Sequence, residues 1–257
     1  MKVSRRLWRV FASLALLSLS SSCRSSDASE SEVTIAAAAS MRGSMPDLVR
    51  RFETKHPTVR VSVTYGASGD LKKQVEGGAP IDGVVFAARA PVTKLVEDEL
   101  VDAASVKVIA HNALVLVGPK GKPGLTFSTL DALPEGEKLA IGEPGAVPAG
   151  QYAKTALENL GLWDKLKGKV VYGGDVGAVL AYARRGEVAA AIVYSTEARG
   201  IEDIVVLDTA KGEWAPRPEV VSGVVRVGKH AALASDFLGF LSGEEGQSTL
   251  ASYGFAP

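Results

Sequence analysis

The sequence predicts an α/β fold of two lobes, each a mainly parallel sheet flanked by helices, joined by two crossing strands. Three observations lead there. Apolar runs of strand length alternate with stretches of helical periodicity along the chain, the pattern of right-handed strand–helix–strand crossovers and parallel sheets. Several of these runs end in a small or hydroxyl residue directly ahead of a helix. Two further apolar segments, residues 113–117 and 220–227, cut the chain into three parts. About 225 residues follow the leader and the tether, enough for one large domain or two small ones. With those segments as crossing strands, residues 33–112 and 219–257 form lobe one and residues 113–218 form lobe two.

Residues 1–22 carry Lys2, Arg5, Arg6 and Arg9, an apolar run over residues 10–19 and no acidic residue. That layout reads as a secretory signal peptide. Its apolar core falls well short of the roughly 20 residues that span a bilayer. Cys23, the only cysteine, follows Ser20, Ser21 and Ser22 in a segment that resembles a bacterial lipobox, whose cysteine becomes the lipidated first residue. Ser20 stands where the lipobox usually has Leu. With one thiol, no internal disulfide is expected. Residues 23–32 read as a flexible tether, since after the cysteine Ala28 is their only apolar residue. The expected location is the periplasm or the outer face of the membrane, with lipid as the only anchor.

The elements follow in order. Residues 33–39 (VTIAAAA) form the first strand, and Ser40 marks the handover to a helix with Met45, Leu48, Val49 and Phe52 on one face. Residues 59–65 alternate as VRVSVTY, and the small-residue turn 66–69 opens a helix carrying Leu71 and Val75. A buried strand at 84–87 precedes a helix at 92–99. Strands follow at 113–117 and 139–142, the second leading through a Pro/Gly-rich loop, as far as Gly150, to a helix over 151–160. Residues 170–172 pass through Asp175 into a helix ending at Arg184 and Arg185, and residues 189–194 return as a strand. Late strands lie at 205–207 and 220–227, and closing helices at 232–241 and 246–253.

Charge excludes some functions. The whole chain balances 29 Lys and Arg against 29 Asp and Glu; without the leader's four cations, 25 face 29. No basic stripe with interleaved aromatics is present, so nucleic acid is not an expected partner.

Ser40, Ser68 and the Ala149–Gly150 loop share one design. Each is a small or hydroxyl residue before a helix, where unpaired N–H groups and the helix dipole favour an anion. Asp175–Val176 offers a fourth helix start with a carboxylate as cap. Taken singly, each reads as an ordinary N-cap.

Together, the runs AAAAS (36–40), YGASGDL (65–71), QVEGGAPIDGVVFAA (74–88), EPGAVPAGQYAK (143–154) and IVYSTEA (192–198) resemble, in order and spacing, the periplasmic molybdate-binding proteins of ABC transporters. The similarity covers about residues 32–255. It implies the type II periplasmic binding-protein fold and an exported monomer that captures molybdate or tungstate for an ABC permease and its ATPase subunit. It implies neither cofactor nor catalysis. It places the oxyanion against the hydroxyls and backbone of Ser40 and Ser68, the N–H groups of Ala149 and Val176, and the Tyr194 hydroxyl. Molybdenum would enter as molybdate, held through its oxygens with no direct protein ligand. Ala67 and Gly69 are a departure, because family members often carry a second serine beside Ser68.

All of these groups are neutral donors, matched to a fully ionised oxyanion that only accepts hydrogen bonds. A protonated anion such as hydrogen phosphate would lack an acceptor in such a site, whereas sulfate can be distinguished only by size. Lys154 and Arg184 read as solvated helix faces. The rival on the same fold is a binder of sulfate or another oxyanion. A serine hydrolase is a further alternative, since Gly66-Ala67-Ser68-Gly69 approaches a nucleophile elbow, but Asp70 replaces its final Gly and only His111 is placed to serve as base. No Cys or His pair has metal-ligand spacing.

Overall fold

The computed structural model describes residues 31–121 and 124–257. The expected signal peptide, Cys23 and most of the expected tether lie outside the described residues. The first sheet begins with β1 (Ser31–Ala38), α1 (Met45–Lys55), β2 (Val59–Gly66), α2 (Ser68–Glu76), β3 (Gly83–Phe86), α3 (Arg89–Glu97) and β4 (Lys107–His111). The chain then enters a second sheet with β5 (Leu114–Pro119), β6 (Leu139–Gly142), α4 (Pro148–Asn159), α5 (Trp163–Leu166), β7 (Val170–Gly173), α6 (Val176–Arg184), β8 (Ala190–Tyr194), α7 (Ser195–Ala198) and β9 (Ile204–Thr209). It returns to the first sheet through β10 (Glu219–Val224) and closes with α8 (Ala231–Ser242) and α9 (Glu244–Ser252).

The two sheets repeat one plan. Their orders are β2-β1-β3-β10-β4 and β7-β6-β8-β5-β9. In each, three strands run parallel, and the fourth, β10 or β5, is antiparallel to both its neighbours. That antiparallel strand is the one that has just arrived from the other lobe. Residues expected as crossing strands thus lie inside the sheets, and the passage is made by the short links between His111 and Leu114 and between Thr209 and Glu219. The Asn112 N–H donates to the Pro218 carbonyl at 2.9 Å, tying one link to the other.

Hydrophobic periodicity positions the helices. In α1, Met45, Leu48 and Phe52 recur on one face and are buried, packing with Phe237 of α8 over Val33, Ile35 and Val85. The opposite face of the same sheet, Ala36, Val84 and Phe86, is covered by Leu71 and Val75 of α2 with Val92 and Leu95 of α3. Asp82, the acid of the GAPID segment, is 4% exposed and accepts from the Thr34 and His230 N–H groups, both at 2.8 Å. It joins the start of lobe one to its C-terminal return.

Four local expectations are corrected. The chain enters β1 two residues earlier than expected, at Ser31, which pairs with Val59. The sequence reading missed β4, a five-residue edge strand whose Lys107 is exposed and whose apolar run is short. Ser40 does not abut a long helix: it sits in a 3-10 turn over Ala39–Met41, with α1 starting at Met45. Finally, α4 begins at Pro148 rather than at 151. Proline costs nothing in a helical first turn, where the N–H has no intrahelical acceptor. Gly150 belongs to the same turn because a Cβ there would lie 1.9 Å from the Gly142 carbonyl oxygen. Two residues that look like breakers therefore seat the start of α4 directly on the end of β6.

Candidate functional site

Each lobe offers the C-terminal ends of its three parallel strands to the other, the position where open α/β sheets commonly carry ligands. The space between them is a small cavity of about 10 Å³. From lobe one it is lined by Ala38, Ala39 and Ser40 at and just beyond the end of β1, by Gly66, Ala67 and Ser68 at and just beyond the end of β2, and by Ala87 beyond β3. From lobe two come Val147, Pro148 and Ala149 beyond β6, Asp175 and Val176 beyond β7, and Tyr194 at the end of β8. All five residues expected to meet a ligand are thus brought to one cavity, and the sequence reading had not placed Ala87 there. A larger groove between α1 and α9 is an open surface feature, in which Arg51 and Lys55 both pair with Glu245.

The donors differ in what the fold leaves them. Ser40 is 5% exposed, and its hydroxyl has no hydrogen-bond partner among the described residues. Ser68 is 1% exposed, and its hydroxyl oxygen accepts the Ala87 N–H at 3.1 Å, which leaves its proton available. Ser68, Ala149 and Val176 lie in the first turns of α2, α4 and α6, whose N–H groups have no intrahelical carbonyl. The Tyr194 hydroxyl donates to the Ala87 carbonyl at a long 3.4 Å, across the two lobes. Ala87 therefore holds one site hydroxyl through its N–H and another through its C=O. Its only signal in the sequence is its place at the end of a third parallel strand, because backbone groups carry no side-chain signature.

Among the described residues, none of those lining the cavity is Lys, Arg or His. The lining is not made of donors alone, which modifies the sequence reading. It includes Asp175, whose carboxylate caps α6 by accepting the Ala178 N–H at 2.8 Å, and Ala87, whose carbonyl accepts from Tyr194. Lys154 and Arg184 are spent elsewhere, Lys154 near Glu158 and over the Trp163 ring and Arg184 on Asp203. His111 points its Nδ1 at the Pro257 carbonyl, 2.8 Å away, and does not line the cavity. The hydrolase reading therefore lacks its base.

Comparison with known proteins agrees with this architecture. The family model described as bacterial extracellular solute-binding protein matches residues 33–256. The chain belongs to that family. Among relatives of this solute-binding protein is YvgL of Bacillus subtilis (strain 168), provisionally named an ABC transporter substrate-binding lipoprotein. It is 38% identical over 239 residues, covering 91% of each chain. The molybdate-binding protein ModA of Haemophilus influenzae is 33% identical over 234 residues, covering 89% of this chain and 91% of ModA. The solved periplasmic molybdate-binding protein of Azotobacter vinelandii shares the fold with a TM-score of 0.78, over 88% of this chain and 99% of that one, at 21% identity. The expected two-lobed type II binding-protein fold is the one observed.

Electrostatics at the edge of the cavity of this solute-binding protein set two ionisations. Burial holds the Tyr194 hydroxyl well above its usual range, so it stays a donor at physiological pH. Burial, reinforced by the nearby Asp175 carboxylate and opposed by Arg42, pushes Glu197 on α7 up to about 7 from its ordinary 4.5. The fold thus favours the protonated acid. Stability from this group is fully present below about pH 4.5 and is lost as pH rises through about 7. Replacement of Glu197 by Gln should therefore leave thermal stability unchanged at pH 4.5 and raise it above wild type at pH 8. Parallel unfolding scans at the two pH values measure this, and equal shifts at both would contradict the assignment.

The two serines should separate in the same assay without ligand. Ser68→Ala leaves the Ala87 N–H without its acceptor and should cost about 1–3 kcal/mol of unfolding free energy. Ser40→Ala deletes a hydroxyl that already lacks a partner, so its denaturation midpoint should match or slightly exceed that of wild type.

Proposed function

We propose that this protein captures molybdate, or the closely similar tungstate, outside the cytoplasmic membrane and hands it to an ABC permease powered by its ATPase. The observation that carries this reading is the buried, unpartnered hydroxyl of Ser40, a residue that lines the same small cavity as Ser68, Ala149, Val176 and Tyr194. A buried hydroxyl without a partner costs about 1–3 kcal/mol, and a bound acceptor would relieve that cost. An oxyanion with four acceptor oxygens suits donors arriving from several directions. Helix N-termini supply partial positive charge without a flexible cation to order. Relatives at 33% identity that carry the molybdate-binding name support the choice of anion.

Capture would proceed by closure of two lobes, residues 33–112 with 219–257 and residues 113–218, about the links near Asn112 and Pro218. Ser40 and Ser68 come from the first lobe, and Ala149, Val176 and Tyr194 from the second. Closure is favoured only by contacts made better in the shut state, and the anion supplies them by bridging donors from both sides. The protein acts as a monomer with no cofactor, and molybdenum is held through its oxygens alone. Export by residues 1–22 and lipidation at Cys23 would keep it at the outer face of the membrane, in keeping with the lipoprotein name of YvgL.

Calorimetric titration with molybdate, tungstate and sulfate tests the anion. Tight binding of the first two with far weaker sulfate binding is expected, and equal affinity for sulfate would replace molybdate with a general oxyanion. In the same titration Ser40→Ala and Ser68→Ala should each lose about 1.5–3 kcal/mol of molybdate binding. For the anchor, the full chain expressed in a bacterial host should partition with membranes and incorporate labelled fatty acid. Cys23→Ala should release it to the soluble fraction, and unchanged partitioning would remove the lipid anchor.

A further inference from the structure

The lobes also meet backbone to backbone, one residue from Ser68. Gly69, the second residue of α2, donates its N–H to the Ala146 carbonyl in the turn between β6 and α4, at 3.0 Å. That turn is stiff on its own account. Ala146 and Val147 both donate to the Glu143 carbonyl, and Gly145 donates to the Glu143 side chain. A Cβ on residue 69 would lie 2.8 Å from the Ala146 oxygen, 2.9 Å from its Cα and 3.2 Å from its carbonyl carbon. These are backbone atoms of a braced turn, so they cannot swing aside as a flexible side chain can. Among the described glycines, Gly69 alone would drive a Cβ into the backbone of the other lobe. Gly142, Gly150 and Gly173 meet atoms of their own lobe, and Gly254 meets side chains.

We infer that Gly69 is a positioning residue for the oxyanion site: the missing side chain lets the lobes close to the width at which the Gly69–Ala146 hydrogen bond forms. The inference rests on the oxyanion reading proposed above for what closure achieves. Ser68 precedes the contact by one residue, and Ala149 follows it by three. Fixing the Gly69–Ala146 separation therefore fixes the distance between donors that approach the anion from opposite lobes. A glycine here is unfavourable to the helix that contains it, because alanine is the better helix former. Local helix stability and lobe closure thus ask for different residues at this position, and closure has prevailed.

This opposition makes the test decisive. Gly69→Ala should fold with unliganded thermal stability equal to or above wild type, yet bind molybdate about tenfold or more weakly, through the lost hydrogen bond and the overpacked seam. Gly145→Ala, whose Cβ would meet only the Glu143 side chain at 3.7 Å, should bind within twofold of wild type. Small-angle scattering supplies a readout independent of affinity: wild type should be more compact than Gly69→Ala under the same conditions. Molybdate affinity of Gly69→Ala within twofold of wild type would overturn the inference. Should wild type bind no oxyanion, the functional reading fails by itself and scattering decides the seam, with equal radii of gyration overturning it.

Discussion

A buried polar group without a partner is expensive, and the cavity between the lobes collects several of them. The Ser40 hydroxyl has no acceptor, the Ser68 proton is left over after its oxygen takes the Ala87 N–H, and three helices end in amides that no helical carbonyl can reach. At about 1–3 kcal/mol for each buried group left unsatisfied, the chain has every reason to relax these groups onto one another. It is prevented by close packing beneath them. Gly150 seats α4 on Gly142 with no room for a methyl group, Gly173 lies under Val179 and Asp175, and the Asp175 side chain locks the first turn of α6. The donors are held apart and aimed because the structure behind them cannot move. Such preorganisation converts folding energy into binding energy for whatever acceptor enters.

Much of this was legible in the sequence, for identifiable reasons. Strand–helix alternation is written in side-chain hydrophobicity, so VTIAAAA, VRVSVTY and the helix faces around Phe52 and Val75 announce themselves. Ser68 and Val176 are legible because small residues and caps at strand ends have a physical role whatever the ligand. The start of α4 was misread because Pro148 and Gly150 are breakers in a helix interior, whereas here one occupies the first turn and the other a contact too tight for any side chain. Ala87 was invisible because it acts through its peptide group. Gly69 was misjudged in a more instructive way. Read against a family that often carries serine beside Ser68, it looked like a lost hydroxyl, but in three dimensions its bare backbone is one of the points at which the lobes touch.

Charge places the remaining constraint. The cavity has no cation in its lining, yet the Asp175 carboxylate borders it and Glu197 lies close enough to perturb Tyr194. An oxyanion entering this low-dielectric space is attracted by helix N-termini and hydroxyl protons and repelled by whichever acid is ionised. Asp175 is partly offset by the Ala178 N–H it accepts, and the raised ionisation of Glu197 keeps a second negative charge away over much of the acidic range. On the proposed reading, neutral donors would suffice because one neighbouring acid is capped and the other is favoured in its protonated form.

Tyr194 shows how far the chemistry of such a site can discriminate between anions. Its hydroxyl covers the Ala87 carbonyl at 3.4 Å, a separation at which little hydrogen-bond energy is at stake. A fully ionised anion can take that proton from Ala87 at small cost and accept from both serines as well. A singly protonated anion can do the same and then donate its own proton to the Ala87 carbonyl so exposed. Rejection of protonated anions is therefore weaker than a lining of donors alone would give. The burden of selectivity shifts to the dimensions of the cavity. In the inference drawn above, those dimensions depend on places where backbone meets backbone, at Gly142 with Gly150 inside one lobe and at Gly69 with Ala146 between the two. On the proposed oxyanion reading, selectivity in this protein would then depend on glycines that never touch the ligand through a side chain.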